Sequence, residues 1–234
     1  RTGGGDRVSQ VVYNQSVIGA SSNSTIYLGA GSDGFSMYLS TSGSAWTNNI
    51  VTSVVASAFT WNHVVWQRRS NTLEIYLNGT LQTVTGGSSS FSGTLFNSTR
   101  NVDIGVQGAG SGNSPFFGNI SNLRVVKGTA VYSTNFTPPV APLTAISGTS
   151  LLTCQSNRFV DTSTVASTIT LGGTPSVQRF SPFSPSAAYS TTTIGGSGYF
   201  DGSGDYLSVA DNAAFEVGSG SFTLECWFYA TGSV

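Results

Sequence analysis

The segment Trp61–Gly79, WNHVVWQRRSNTLEIYLNG, carries the strongest pattern in the chain. Val64, Trp66 and Arg68 alternate with His63, Val65 and Gln67, the period of two that gives a strand two distinct faces. Polar residues at Arg69–Thr72 break the run, after which Leu73, Ile75 and Leu77 alternate with Glu74 and Tyr76. Asn78-Gly79 follows, a dipeptide that tolerates φ > 0 at both central positions of a type I′ turn. Thr80–Val84 then continues as a third, more polar strand. The expectation is three antiparallel strands in succession, with the hairpin Val64–Leu77 in the interior of a sheet.

Working outward, Val8–Tyr13, Thr25–Leu28, Phe35–Leu39 and Ile50–Val55 precede this hairpin as short apolar runs. Gly, Ser and Asn fill the intervals between them, as β-turns require. Leu151–Cys154, Thr168–Leu171 and Phe222–Tyr229 extend the series, and no window shows a helical period. Pro138–Pro142 (PPVAP) is the expected linker, because proline cannot donate to a ladder. Gln178–Tyr189, rich in Pro and aromatics, is expected to lie irregularly across the sheets.

Composition narrows the class. Only 8% of the 234 residues are charged, yet 38% are hydrophobic and 12% aromatic, ample for a core. A net charge of -1 leaves no basic footprint for nucleic acid. No apolar run reaches the length of a membrane span, and RTGGGDRVSQ at the start does not have the pattern of a signal peptide. The expectation is a mature chain or a fragment of one.

Three blocks carry a family resemblance. Trp-x-His-Val followed by Tyr-Leu-Asn-Gly, then VDIG (102–105) with GNISNLRVV (118–126), then FDGSGDYLSVADNAAFEVGSGSFTLECWFY (200–229) resemble a laminin-G-like, concanavalin A-like jelly roll. The resemblance implies an all-β antiparallel sandwich. It does not imply one function, because folds of this kind host lectins, adhesion modules, hydrolases and inert spacers. Residues 120–190 also resemble laminin-G-like modules of large marine phage and bacterial proteins, which implies a virion or cell-surface location outside the cell.

The order of the blocks is reversed relative to that family, whose FDG…F-T-x-E-x-W block comes first. Residues 1–147 then correspond to central and closing strands, and 148–234 to a linker plus opening strands. Either the chain is a circularly permuted sandwich or its two parts close on neighbouring copies. Half a jelly roll leaves apolar faces and sheet edges open, so each part needs a complement. The expectation is that Phe222–Tyr229 joins the sandwich of Val64–Leu77, with Arg1 and Val234 within roughly 20 Å on the scale of chain geometry.

Catalytic chemistry is poorly supplied. Glu occurs only at 74, 216 and 225, with no clustered carboxylates of the glucanase kind, and the single histidine, His63, has no nucleophile elbow beside it. The expectation is a protein that is not an enzyme. GAGSGNSP (108–115) lacks the lysine and helix of a phosphate loop and is a loop only. Asp201 and Asp205 are either turn-formers or ligands of a Ca²⁺ ion, the one candidate cofactor. Cys154 and Cys226 are either two buried thiols or one disulfide. Sequons at Asn14, Asn23, Asn78, Asn97, Asn119 and Asn135 are what so Ser/Thr-rich a chain produces by chance.

Loop aromatics offer a route to a ligand. Sugar rings stack on aromatic faces while nearby amides meet the hydroxyls. Trp46, Asn48, Asn49, Asn113 and Phe116 make up a candidate glycan platform; the alternative is that the aromatics fold back over an open end of the sandwich. Two functions remain. One is a lectin-like adhesion module that grips a cell-surface polysaccharide. The other is a structural spacer of a fibre whose partners are neighbouring subunits.

Overall fold

The computed structural model describes residues 9–17, 22–108, 113–183 and 195–231. Among these, sixteen strands form two antiparallel sheets, and the single helical feature is the 3-10 turn Ala213–Phe215. The strands are β1 (Ser9–Gln15), β2 (Ile26–Gly31), β3 (Gly34–Leu39), β4 (Asn48–Thr52), β5 (Trp61–Arg69), β6 (Thr72–Leu77), β7 (Thr80–Leu81) and β8 (Val84–Gly86). They continue as β9 (Val102–Ile104), β10 (Phe117–Lys127), β11 (Thr149–Thr153), β12 (Ile169–Gly172), β13 (Ser176–Gln178), β14 (Ser197–Asp201), β15 (Tyr206–Val209) and β16 (Phe222–Ala230). No helix among the described residues is long and apolar enough to cross a membrane.

The opening segment folds as its alternation dictates. In β5 and β6, Val64 faces Leu77 and Trp66 faces Ile75, with Asn78 and Gly79 as the two-residue turn into β7. Both turn residues have positive φ, 49° and 81°, the type I′ requirement.

The first sheet runs β12-β15-β9-β1-β2-β3-β4-β8 and the second β13-β14-β10-β16-β5-β6-β7, with β11 also on β10. β16 lies between β10 and β5, pairing Leu224 with Trp66 and Cys226 with Val64. Each sheet therefore takes strands from both sides of residue 147. The expected proximity of Arg1 and Val234 concerns residues outside those described.

Inward-facing positions of the two sheets meet in one core. Phe35 of the first sheet packs edge-on against Trp66 of the second (6.1 Å between centroids) and touches Phe228 at the same separation. Aromatic pairs of this kind contribute about 0.5–1.5 kcal/mol beyond their area burial. Cys154 and Cys226 lie in this core as free thiols, not bridged. Burial pushes the Cys154 thiol up to about 12 and Cys226 well above its ordinary value, so both act as small apolar groups.

Pro138–Pro142 is no free linker. It belongs to a strap, residues 129–147, that lies against the outer face of the second sheet. Val131 N donates to Thr223 Oγ1 (2.9 Å), Phe136 N to the Gly79 carbonyl (2.9 Å) and Leu143 N to Asn122 Oδ1 (2.7 Å). Prolines keep the strap out of the ladder, while side-chain and turn acceptors hold it in place. Farther along, Phe180 leans on Trp61 (5.0 Å) and Phe183 on Trp227 (5.9 Å), so this aromatic segment covers the same outer face, as expected; residues 184–189 are outside those described.

A candidate glycan-binding rim

The structure separates the five expected platform residues. Trp46, in the β3–β4 loop, is half-buried against Tyr38 (5.9 Å) and Tyr27 (6.5 Å) on the outer face of the first sheet. Asn49 is exposed on that face, paired with Tyr38. Asn48 precedes it by one residue and so points to the opposite face, where its amide donates to the Ser88 carbonyl (3.0 Å). Asn113 sits beside β1 and accepts from Gln107 N through its backbone, away from Trp46. Phe116 is a correction: it is fully buried, edge-on to Phe200 and Phe228. The Ser and Gly around it suggested an open loop, but the chain enters β10 directly after it and turns the ring inward.

What joins Trp46 and Asn49 is a row of cross-strand neighbours. Asn49, Tyr38, Tyr27, Asn14, Asp103, Ser208 and Thr170 are successive partners across β4, β3, β2, β1, β9, β15 and β12. Tyr27 and Tyr38 stack at 5.3 Å with 19° between planes. Asn14, Asp103 and Ser208 are buried, whereas Asn49 and Thr170 are exposed and Tyr38 half-exposed. Strict alternation produced the row: Tyr27 stands between Ile26 and Leu28, and Tyr38 between Met37 and Leu39. That signal was legible for both tyrosines, since an aromatic out of phase with its apolar neighbours faces away from the core.

Beside Asp103 of the row, the β1–β2 and β8–β9 loops and the start of β9 enclose a polar cleft of about 380 Å³, lined by Ser16, Asn23, Thr99, Arg100, Asn101 and Asp103. This lies within the roughly 300–1,000 Å³ of small-ligand sites. A second recess on the same face, by Gly31–Gly34, holds only about 80 Å³ and is too small for a sugar ring. The cleft is pinned by side chains. Asn23 Nδ2 donates to Thr99 Oγ1 (2.8 Å), Thr99 N to Asn23 Oδ1 (3.1 Å) and Ser98 Oγ to the Asn23 carbonyl (2.6 Å). Gln15 Nε2 bridges the Arg100 carbonyl (2.8 Å) and Asp211 Oδ1 (3.1 Å). Ser24 N donates to the Gly43 carbonyl (3.0 Å), which ties the Trp46 loop to the cleft wall.

The outer face of the second sheet is different. Glu225 is fully buried; its Oε1 accepts from Arg124 Nε (2.8 Å) and Arg124 Nη2, its Oε2 from Tyr132 Oη (2.7 Å), and His63 Nε2 lies 3.3 Å away. Burial pushes the Glu225 carboxyl up, but the His63 bond, the Arg124 charge, the His63 charge and the Tyr132 bond together hold it below the usual carboxylate range. Tyr132 is raised, by burial first and the Glu225 charge second, so it stays a donor. Glu74, also buried, accepts from Gln67 Nε2 (2.6 Å), Arg69 Nε (3.0 Å) and Tyr76 Oη (3.3 Å). Tyr132 and Phe136 of the strap stack at 3.7 Å over this network.

Asp201 and Asp205 behave as turn-formers. Asp201 Oδ1 accepts from Ser203 N (2.7 Å). Both oxygens of Asp205 are taken by backbone amides, Oδ1 by Thr174 N (2.6 Å) and Oδ2 by Asp201 N (3.0 Å). No group of three His, Cys, Asp or Glu side chains that could hold a metal occurs among the described residues.

Two antiparallel sheets packed face to face define a β-sandwich of the concanavalin A-like kind. The chain belongs to the concanavalin A-like lectin/glucanases superfamily, whose profile matches residues 7–131, more than half its length. Comparison with curated proteins and with solved structures finds no match.

Proposed function

We propose that the protein is a non-enzymatic, lectin-like module of an extracellular virion or cell-surface fibre, binding a glycan along the rim formed by Trp46, Tyr38 and the adjoining polar cleft. The observation that carries this reading is a pair of half-buried aromatics, Trp46 and Tyr38, whose loop is tied by the Ser24–Gly43 bond to the wall of a ligand-sized cleft of amides and hydroxyls. The superfamily contains both lectins and glucanases, and the carboxylates favour the former. A retaining or inverting glycosidase needs two carboxyl groups flanking a scissile bond. Here Glu74 and Glu225 are buried beneath side chains that already occupy their oxygens.

The test is a glycan array read with wild-type protein and with Trp46→Ala. Defined binding that is lost in the variant supports the reading, and a flat array overturns it. One observation favours the alternative of a structural spacer. β12 and β13 are successive edge strands of the two sheets, and they expose Leu171 (51%) and Val177 (38%), apolar groups of the kind that pair neighbouring copies. A flat array together with concentration-dependent assembly in sedimentation would establish that alternative.

A further inference from the structure

Arg100 is the unexplained group in the cleft. Its side chain makes no hydrogen bond or ion pair among the described residues, and its Nε is shut away from solvent without a partner. Arg68 and Arg124, both more deeply buried, have protein partners: Arg68 the Ser70 (2.9 Å) and Gly93 (2.8 Å) carbonyls, Arg124 Glu225 and the Thr144 carbonyl (2.8 Å). The guanidinium lines the cleft with no protein partner among the described residues, so its donors are available to a ligand there.

We infer that the cleft is a subsite for an anionic sugar residue, with the Arg100 guanidinium receiving its carboxylate or sulfate. The inference rests on the glycan-binding reading and deepens it. A planar guanidinium matches a carboxylate or sulfate edge with two parallel charge-assisted bonds, which a neutral hydroxyl cannot provide. The rest of the lining suits the remainder of the ring. Asn23, Thr99 and Asn101 supply amides and a hydroxyl to the cleft lining. Trp46, across the Ser24–Gly43 bond, is placed to stack the next residue of the same oligosaccharide.

The test uses the full chain and three oligosaccharide preparations on one backbone: a uronate oligomer, its carboxyl-reduced counterpart and a sulfated form of the latter. Calorimetry should show the uronate or the sulfated form binding about ten- to a hundredfold more tightly than the neutral one, the effect of a charged hydrogen bond. That ratio should shrink as salt is raised and collapse towards one in Arg100→Gln, with Arg100→Lys intermediate. A melting curve for each variant confirms that it folds. Which of the two anionic forms shows the preference identifies the source of the charge. Equal binding of neutral and anionic forms by the wild type overturns this inference and leaves glycan binding standing. No binding of any form, with a flat array, overturns both.

Discussion

The outer faces of the two sheets were built by the same rule and ended differently. Each collects the polar members of alternating strands. On the first sheet these residues form a row that still reaches solvent at Tyr38 and Asn49 and opens into a cleft. On the second they are closed over by the strap, and Glu225, Arg124, Gln67 and Glu74 become buried. A polar face under water needs nothing further. Once covered, the same face must satisfy its groups internally, and the Glu225 and Glu74 networks do so almost completely. The exceptions, such as His63 Nδ1, lie at their margins. A roofed face is thus committed to stability, while the open part of the other stays accessible.

The largest expected effect breaks the roofed face. Arg124→Ala leaves the Glu225 carboxylate buried without its strongest cation, and should destabilise by about 3–5 kcal/mol in chemical denaturation. An equal loss from a substitution on the open row would contradict the contrast drawn here.

Next is the strap's seat on the hairpin. A Cβ at Gly79 would lie 1.9 Å from the Phe136 carbonyl oxygen, at a φ of +81°. Gly79→Ala should therefore cost about 2–4 kcal/mol, combining left-handed strain with overpacking. Gly128, with φ +85° and nothing within 4 Å, is the control: Gly128→Ala carries only the strain, about 1 kcal/mol. Equal shifts in melting temperature would mean that the strap yields freely.

Acid should act on the roofed face through Glu225. The Glu225 carboxyl is depressed in the folded state, so its contribution is complete above the unfolded glutamate value, near 4.3, and lost as pH falls through the folded value. Melting temperature should fall steeply below about pH 4, and the slope should flatten in Glu225→Gln. A variant with an unchanged slope would place the acid sensitivity elsewhere.

The smallest stability effect belongs to the open face. Trp46→Ala removes a half-buried ring and its contacts with Tyr27 and Tyr38, for about 1 kcal/mol. Glycan binding, by contrast, should be lost.

Sequence alone determined the local architecture of this protein. Alternation placed the strands, and Asn78-Gly79 specified a type I′ turn, because side-chain direction and turn dihedrals are properties of a few adjacent residues. The same local rule pointed Tyr27 and Tyr38 outward, and it offered two buried thiols as one reading of Cys154 and Cys226. Tertiary structure decided which faces were covered and which side chains met. Phe116 looked like a loop aromatic until its entry into β10 turned it into the core. Pro138–Pro142 looked like a linker until Tyr132, Phe136 and Leu143 found their partners on the second sheet. Asn23 stands 76 residues from Thr99 and its neighbours Arg100 and Asp103, and they share a cleft only because β2 and β9 bring their loops to one end. Burial and cleft formation depend on contacts between distant segments, and no periodicity within one strand encodes them.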